Sequence, residues 1–296
     1  MRTSAAFLSI AAVSLGGCFS APTPLAPGLS GSVGMPNSGV QTGAIELPEA
    51  GKGFARYRPK GHNHWGRPRL VNALERIAAE VDRELPGGTL VIGDLGAKTG
   101  GRIPGHASHR SGRDVDLLFY ALTPDGAPLP SPGFVRYEAD GLAVVPDSGD
   151  YVRLDVAREW LLVKKLVNDR EIGVQFLFIS RPLEALLMDY ARARGEPLEL
   201  QYRAQTVMLQ PGDSLPHDDH LHLRIACSPE ETQAGCSGGG PYWEWLPPLP
   251  ESQEADDALL QAIAADEPLP LDPSDAPETP GSLPMAGAGV EPGGGA

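Results

Sequence analysis

The sequence predicts an α+β fold: a small, mainly antiparallel sheet with helices packed on one side. Two patterns carry this expectation. "DVDLLFY", from Asp114, and "HLHLRIA", from His220, alternate polar and apolar residues with a period of two, as half-buried strands do. "RLVNALERIAAEVDREL" instead repeats Leu70, Leu74, Ile77, Ala78 and Val81 at helical spacing. No internal repeat is evident.

Taken in order, residues 1–17 read as a signal segment, with one Arg and an apolar run too short to span a membrane. Residues 18–50 are rich in Ser, Gly and Pro, lack periodicity, and read as a flexible tether. One globular domain is expected over residues 51–246, long enough to bury a real core. After the first helix, "TLVIGDL" reads as a buried strand and "VRYEADGLAVV" as a hairpin turning at Asp140-Gly141. "DVAREWLLVKKLVND" reads as a helix capped by Asp155, and "VQFLFIS" as a central strand. "SRPLEALLMDYARARG" reads as a helix with Pro182 early and Gly195 as its stop. Trp243 and Trp245 are expected to seal the end of the domain. Residues 247–296 read as a disordered tail, with ten acidic and no basic residues from Glu251 onward. Without those ten the net charge of −14 becomes −4, which argues against nucleic acid as a partner.

The histidines point to metal chemistry. "PHDDHLHLRIAC" holds His217, His220 and His222, three of the chain's seven. On the strand, His220, His222 and Arg224 share one face, with same-face neighbours about 6.6 Å apart. "GHASHRSGRDVDLLFY" holds His106 and His109, then Asp114 and Asp116 on one strand face. Neutral imidazole and carboxylate are common zinc ligands. Three protein ligands with an open position make a catalytic site, whereas structural sites are closed by four, usually with cysteine. Both clusters lack cysteine. Asp114 is a candidate to orient a ligand imidazole from behind. Arg224 reads equally well as a carboxylate binder or as a rim charge.

His109 and Asp116 form a His-x6-Asp motif, and His220 and His222 a His-x-His motif. The chain thereby resembles the zinc peptidase superfamily of lysostaphin-type endopeptidases and D-Ala-D-Ala peptidases. Within it, "GHASHRSGRDVDL", "LPHDDHLHLRIAC" and "SRPLEALLMDYARARGE" are similar to the penicillin-insensitive murein endopeptidase family, over roughly Phe54 to Cys236. The resemblance implies His109, Asp116 and His222 as zinc ligands and His220 as the catalytic histidine. His217 and His106 match further active-site histidines, and His106 is an additional metal ligand candidate. Such enzymes can hold a second metal through an Asp and a His between the motifs. Here no histidine lies between His109 and His217, so one zinc is expected. The implied activity is hydrolysis of D-amino-acid amides in the cross-links of peptidoglycan. A D,D-carboxypeptidase, or a non-catalytic zinc-containing wall-binding lipoprotein, stays open as an alternative.

Cysteine usage fits that setting. "LGGC" resembles a bacterial lipoprotein processing box, which makes Cys18 the acylated residue and the periplasmic face of the outer membrane the location. Cys227 and Cys236 flank a short loop, and a bridge between them suits an oxidising compartment and the resemblance alike. The odd count then leaves Cys18 for the lipid. Contact with the membrane is expected through that anchor alone. The oligomeric state is left open.

Overall fold

The computed structural model describes residues 31–212 and 214–249. The signal segment, Cys18 and the acidic tail lie outside the described residues. Residues 31–50, expected to form part of a tether over 18–50, are instead folded. From Gly31 the chain is built into the fold as β1 (Gly31–Val33), β2 (Val40–Thr42), β3 (Ile45–Glu46) and β4 (Ala50–Gly51), followed by β5 (Phe54–Arg56). The Ser32 amide donates to Glu231 Oε1 at 3.2 Å, and Gln41 Nε2 to the Ala97 carbonyl at 2.8 Å. Both residues are buried. The groups that the Ser32 backbone and the Gln41 side chain bond to lie far off in sequence, so composition alone reads the segment as tether.

Next come β6 (Trp65–Gly66), α1 (Pro68–Glu84), β7 (Leu90–Ile92) and β8 (Asp114–Leu118). A four-stranded sheet follows, with β9 (Ala121–Leu122), β10 (Pro128–Leu129), β11 (Leu142–Val144) and β12 (Tyr151–Leu154). The expected turn forms at Gly141, whose amide donates to Glu138 O at 2.9 Å. The first arm is reduced to a single Tyr137–Ala143 bridge, because β11 pairs with β12 instead. The chain continues through α2 (Val156–Asn168), β13 (Val174–Phe178), α3 (Arg181–Ala193), α4 (Leu198–Val207), β14 (Met208–Leu209), β15 (His220–Ile225) and α5 (Pro229–Gln233). Asp155 caps α2 by accepting from the Arg158 amide at 3.1 Å.

The main sheet has seven strands in the order β14-β13-β15-β8-β7-β5-β4. Four of its pairings are antiparallel and two, β13/β14 and β5/β7, are parallel. It is mainly antiparallel as expected but larger than expected, since strands of two or three residues carry no readable alternation. β13 lies one strand in from the edge, and the middle position falls to β8. The core holds Val115, Leu117, Leu177, Leu221, Leu223 and Ile225 together with Leu70, Leu74 and Ile77 of α1 and Trp160 and Leu166 of α2. Each such large side chain contributes about 1.5–3 kcal/mol on burial. This apolar packing leaves the opposite face of β8 and β15 to the polar residues. Trp243 and Trp245 stack on each other and pack against the core, with Trp243 Nε1 donating to Gln175 O at 2.7 Å. Cys227 and Cys236 are bridged, their Cα atoms 5.9 Å apart.

Candidate metal centre

The two polar strands are direct neighbours. Across β15 and β8, His222 pairs with Asp116, Arg224 with Asp114 and His220 with Leu118. Alternation on each strand therefore puts both histidines and both aspartates on one face. β8 was expected to be half-buried, yet all five of its residues are buried. Its acidic face is covered by the long connection from β7, which carries His106 and His109. His109 has φ +64° and His217 φ +57°, a left-handed conformation that non-glycine residues hold only where the surroundings enforce it. The Nδ1–H of His109 donates to Leu95 O at 2.7 Å, and that of His217 to Leu215 O at 2.8 Å.

Asp116 sits at the point of convergence. Its Oδ1 lies 3.3 Å from His109 Nε2, 3.3 Å from His220 Nε2 and 3.4 Å from His222 Nδ1. His106 Nδ1 approaches its other oxygen at 3.8 Å. Donor atoms held 2.0–2.1 Å from a tetrahedral zinc are about 3.3 Å from one another, so these spacings suit the ion. His109 Nε2 and Asp116 Oδ1 are fully buried and lack any hydrogen-bond partner. Buried polar atoms are seldom left unpaired, and a cation among them would satisfy both. Two donor groups result, His106–His109–Asp116 and His217–His220–His222, and Asp116 also lies within 3.4 Å of the second group. The residues present fit a metal.

Each imidazole is fixed from behind. His222 Nε2–H donates to Asp114 Oδ1 at 2.9 Å, which leaves Nδ1 aimed at Asp116. His220 Nδ1–H donates to Asp219 Oδ1 at 2.6 Å, leaving Nε2 aimed the same way. His106 Nε2 contacts Asp94 Oδ2 at 3.1 Å. Electrostatics then divide the rings. Burial holds the pKa of His222 down near 4, against the pull of Asp114, so the ring is neutral and able to ligate. Burial also lowers His220, but the nearby Asp116 carboxylate and the hydrogen bond to Asp219 outweigh this and lift it to about 9. Burial raises Asp116, yet His109 and His220 hold it well below the ordinary carboxylate range. Exposure separates the histidines too: the His220 side chain is 15% exposed, against 1% for His109 and 7% for His222.

The family model described as penicillin-insensitive murein endopeptidase matches residues 32–171. A protein of that name from Haemophilus influenzae is 28% identical over 245 residues, which cover 77% of this chain and 78% of its own. One from Shigella sonnei is 28% identical over 238 residues, covering 75% and 79%. Over these residues the chain is similar to the penicillin-insensitive murein endopeptidase family. A shorter match, 38% identical over 93 residues, links it to the murein endopeptidase of an Escherichia coli strain, with 31% of this chain and 34% of the other covered. The murein endopeptidase family model begins at residue 32, next to Gly31, the first described residue. It includes His109 and Asp116 but ends before the His-x-His strand.

The structure brings together every site residue singled out around the two motifs: His106, His109, Asp114, Asp116, His217, His220 and His222. Arg224, read from the sequence as a carboxylate binder or a rim charge, has its Nε donating at 2.7 Å to the buried Asp114. Sequence reasoning missed Asp94, Asp219, Phe134 and Phe178. Asp219 was legible as the carboxylate adjoining the strand. Asp94 was legible as a charge at the end of an apolar strand. Phe134 comes from a loop without signal, its ring edge-on to His220 at 5.2 Å. A Cβ at Gly93 would be tight, lying 3.1 Å from Asp116 Cβ and 3.2 Å from Phe134 Cζ.

Proposed function

We propose that this chain is a zinc metallopeptidase that hydrolyses D-amino-acid amide bonds in the peptide cross-links of murein. The observation that carries the reading is the unpartnered Asp116 Oδ1, ringed by nitrogens of His109, His220 and His222 at 3.3–3.4 Å. The murein endopeptidase names of the relatives supply the substrate class. His109 through Nε2, Asp116 through its carboxylate and His222 through Nδ1 would hold the zinc. Bound there, it supplies Lewis acidity, which brings the pKa of water to near 7 and polarises an amide carbonyl.

The remaining chemistry belongs to the side chains. With a cation offsetting the Asp116 charge that raises the His220 pKa, His220 Nε2 is free to accept the proton of the attacking water, while Asp219 keeps Nδ1 protonated and the ring oriented. The same nitrogen then delivers the proton to the leaving amine. His217, its ring centroid 4.9 Å from that of His220, steadies the developing oxyanion. Asp114 keeps His222 turned so that Nδ1 faces inward.

The enzyme acts in the periplasm and is tethered to the outer membrane through acylated Cys18. The "LGGC" box supports this, as does the pairing of the other two cysteines. No helix among the described residues is long and apolar enough to cross a membrane. An unmodified mature N-terminus downstream of Cys18, seen by mass spectrometry, would overturn the anchor. The activity is tested by digesting a purified cross-linked muropeptide dimer with and without a chelator. Chelator-sensitive conversion to monomers supports the reading. Loss of terminal D-Ala alone would make it a carboxypeptidase, and binding without cleavage a wall-binding protein.

A further inference from the structure

A row of side chains leads outward from His220 and ends in a free cation. Phe134 meets His220 edge-on at 5.2 Å, and Tyr57 meets Phe134 edge-on at 5.2 Å. The Arg58 guanidinium lies 5.4 Å from the Tyr57 ring centroid. Exposure grows along the row, from part-buried Phe134 to Tyr57 at 38% and then to exposed Arg58. Neither Phe134 nor Tyr57 belongs to the hydrophobic core or packs against it. Arg58 has no carboxylate within ion-pair distance among the described residues, and residues 51–69 contain no Asp or Glu.

The row is nevertheless held in place. The Tyr57 amide donates to Ile92 O at 2.8 Å, which ties it to the strand leading to Gly93 and Asp94. The Arg58 carbonyl accepts from the Gly61 amide at 2.8 Å and from buried His64 Nε2 at 2.7 Å. On the other flank of the histidines, Phe178 is 9% exposed and lies under Arg224, so that side is closed. Half-exposed aromatic rings outside the core, beside a reactive histidine, are contact surface for a ligand. An arginine backed by a ring, with no partner of its own, suits a planar carboxylate.

We infer that Phe134, Tyr57 and Arg58 form a substrate subsite. It takes a short peptide strand running away from the scissile amide: the rings receive small apolar side chains, and Arg58 receives a free carboxylate on that strand. The inference rests on the peptidase reading above and adds a chemical requirement to it.

The test uses the full-length, zinc-loaded enzyme and two cross-linked muropeptide dimers that differ only in whether their free carboxylates are amidated. The unaltered enzyme should prefer the free acid by about tenfold or more in kcat/KM, the scale of one charge-assisted contact. Arg58→Gln should erase that preference through KM, and Arg58→Lys should restore part of it. Lys60→Gln removes the same charge two residues away and should keep the preference. Binding of both dimers to the His220→Ala enzyme gives the same comparison without turnover. If neither dimer is cleaved, the peptidase reading fails, while the binding ratio still decides the subsite. An Arg58→Gln enzyme with the unaltered preference overturns the subsite, as does an equal loss in Lys60→Gln.

Discussion

Arg224 Nε donates to Asp114 Oδ1 at 2.7 Å, and the same oxygen takes the Nε2–H of His222 at 2.9 Å. Asp114 is wholly buried, and the two donors reach it from the same strand. Arg224 is thus placed to act on the proposed metal centre through the carboxylate that orients His222, one of its proposed ligands. Asp114→Ala should lower metal affinity by about 10–100-fold. Arg224→Gln should shift it in the same direction by less. Chelator competition reads the affinity, with circular dichroism to check the fold. Unchanged affinity in both variants would make the pair merely structural.

His220 and His222 share a strand face but differ in partner and exposure. His222→Ala should strip the metal and the activity together, and Asp116→Ala should do the same. His220→Ala should keep about one zinc per chain and lose on the order of 10²–10⁴ in rate. Elemental analysis beside muropeptide turnover separates the cases. Equal metal loss in His220→Ala would make it a ligand.

The Cys227–Cys236 bridge closes a loop directly after β15, at a sequence separation of 9. Buried Arg113 holds the chain just beyond that loop, donating to Ser237 O at 2.8 Å and to Gly238 O at 3.3 Å. Cys227→Ser should cost about 2–3 kcal/mol in a chain-entropy view. Denaturant unfolding should show a lower midpoint while metal content stays the same. Two free thiols in unreduced protein would refute the bridge itself.

Glu159 of α2 is wholly buried, and burial lifts its pKa to about 8, with Asp155 adding to the rise and the Tyr120 amide opposing it. Tyr137 also lies within its field. The folded state therefore holds this proton more tightly than the unfolded chain, whose value is near 4.5. The stabilisation is complete below that value and is lost as pH rises towards 8, about 3 kcal/mol of it by pH 7. Glu159→Gln should melt progressively higher than the parent as pH rises from 5 to 8. A constant difference in melting temperature across that range would contradict the assignment.

The local patterns were readable because each depends on a short period. Alternation around His220 and Asp114 placed the right residues on common faces, and 3.6-residue spacing located α1. Asp155, Pro182 and Gly195 marked helix ends through their own backbone chemistry. α4 escaped notice, its amphipathic pattern being weak. The ordered strands from Gly31 escaped because buried Ser32 and Gln41 find their partners at Glu231 and Ala97.

By itself, the sequence determined the chemical inventory of the centre: imidazoles and carboxylates on two alternating strands, and a cysteine pair just beyond. Only the tertiary structure decided that the strands are neighbours in a register that sets His222 opposite Asp116. Only it aimed Nε2 of His109 and Nδ1 of His222 at one oxygen, by occupying each ring's other nitrogen with Leu95 O or Asp114. The reason is physical. Side-chain direction within a strand follows from the local backbone, whereas register and ring orientation depend on hydrogen bonds that form only when distant segments are packed together.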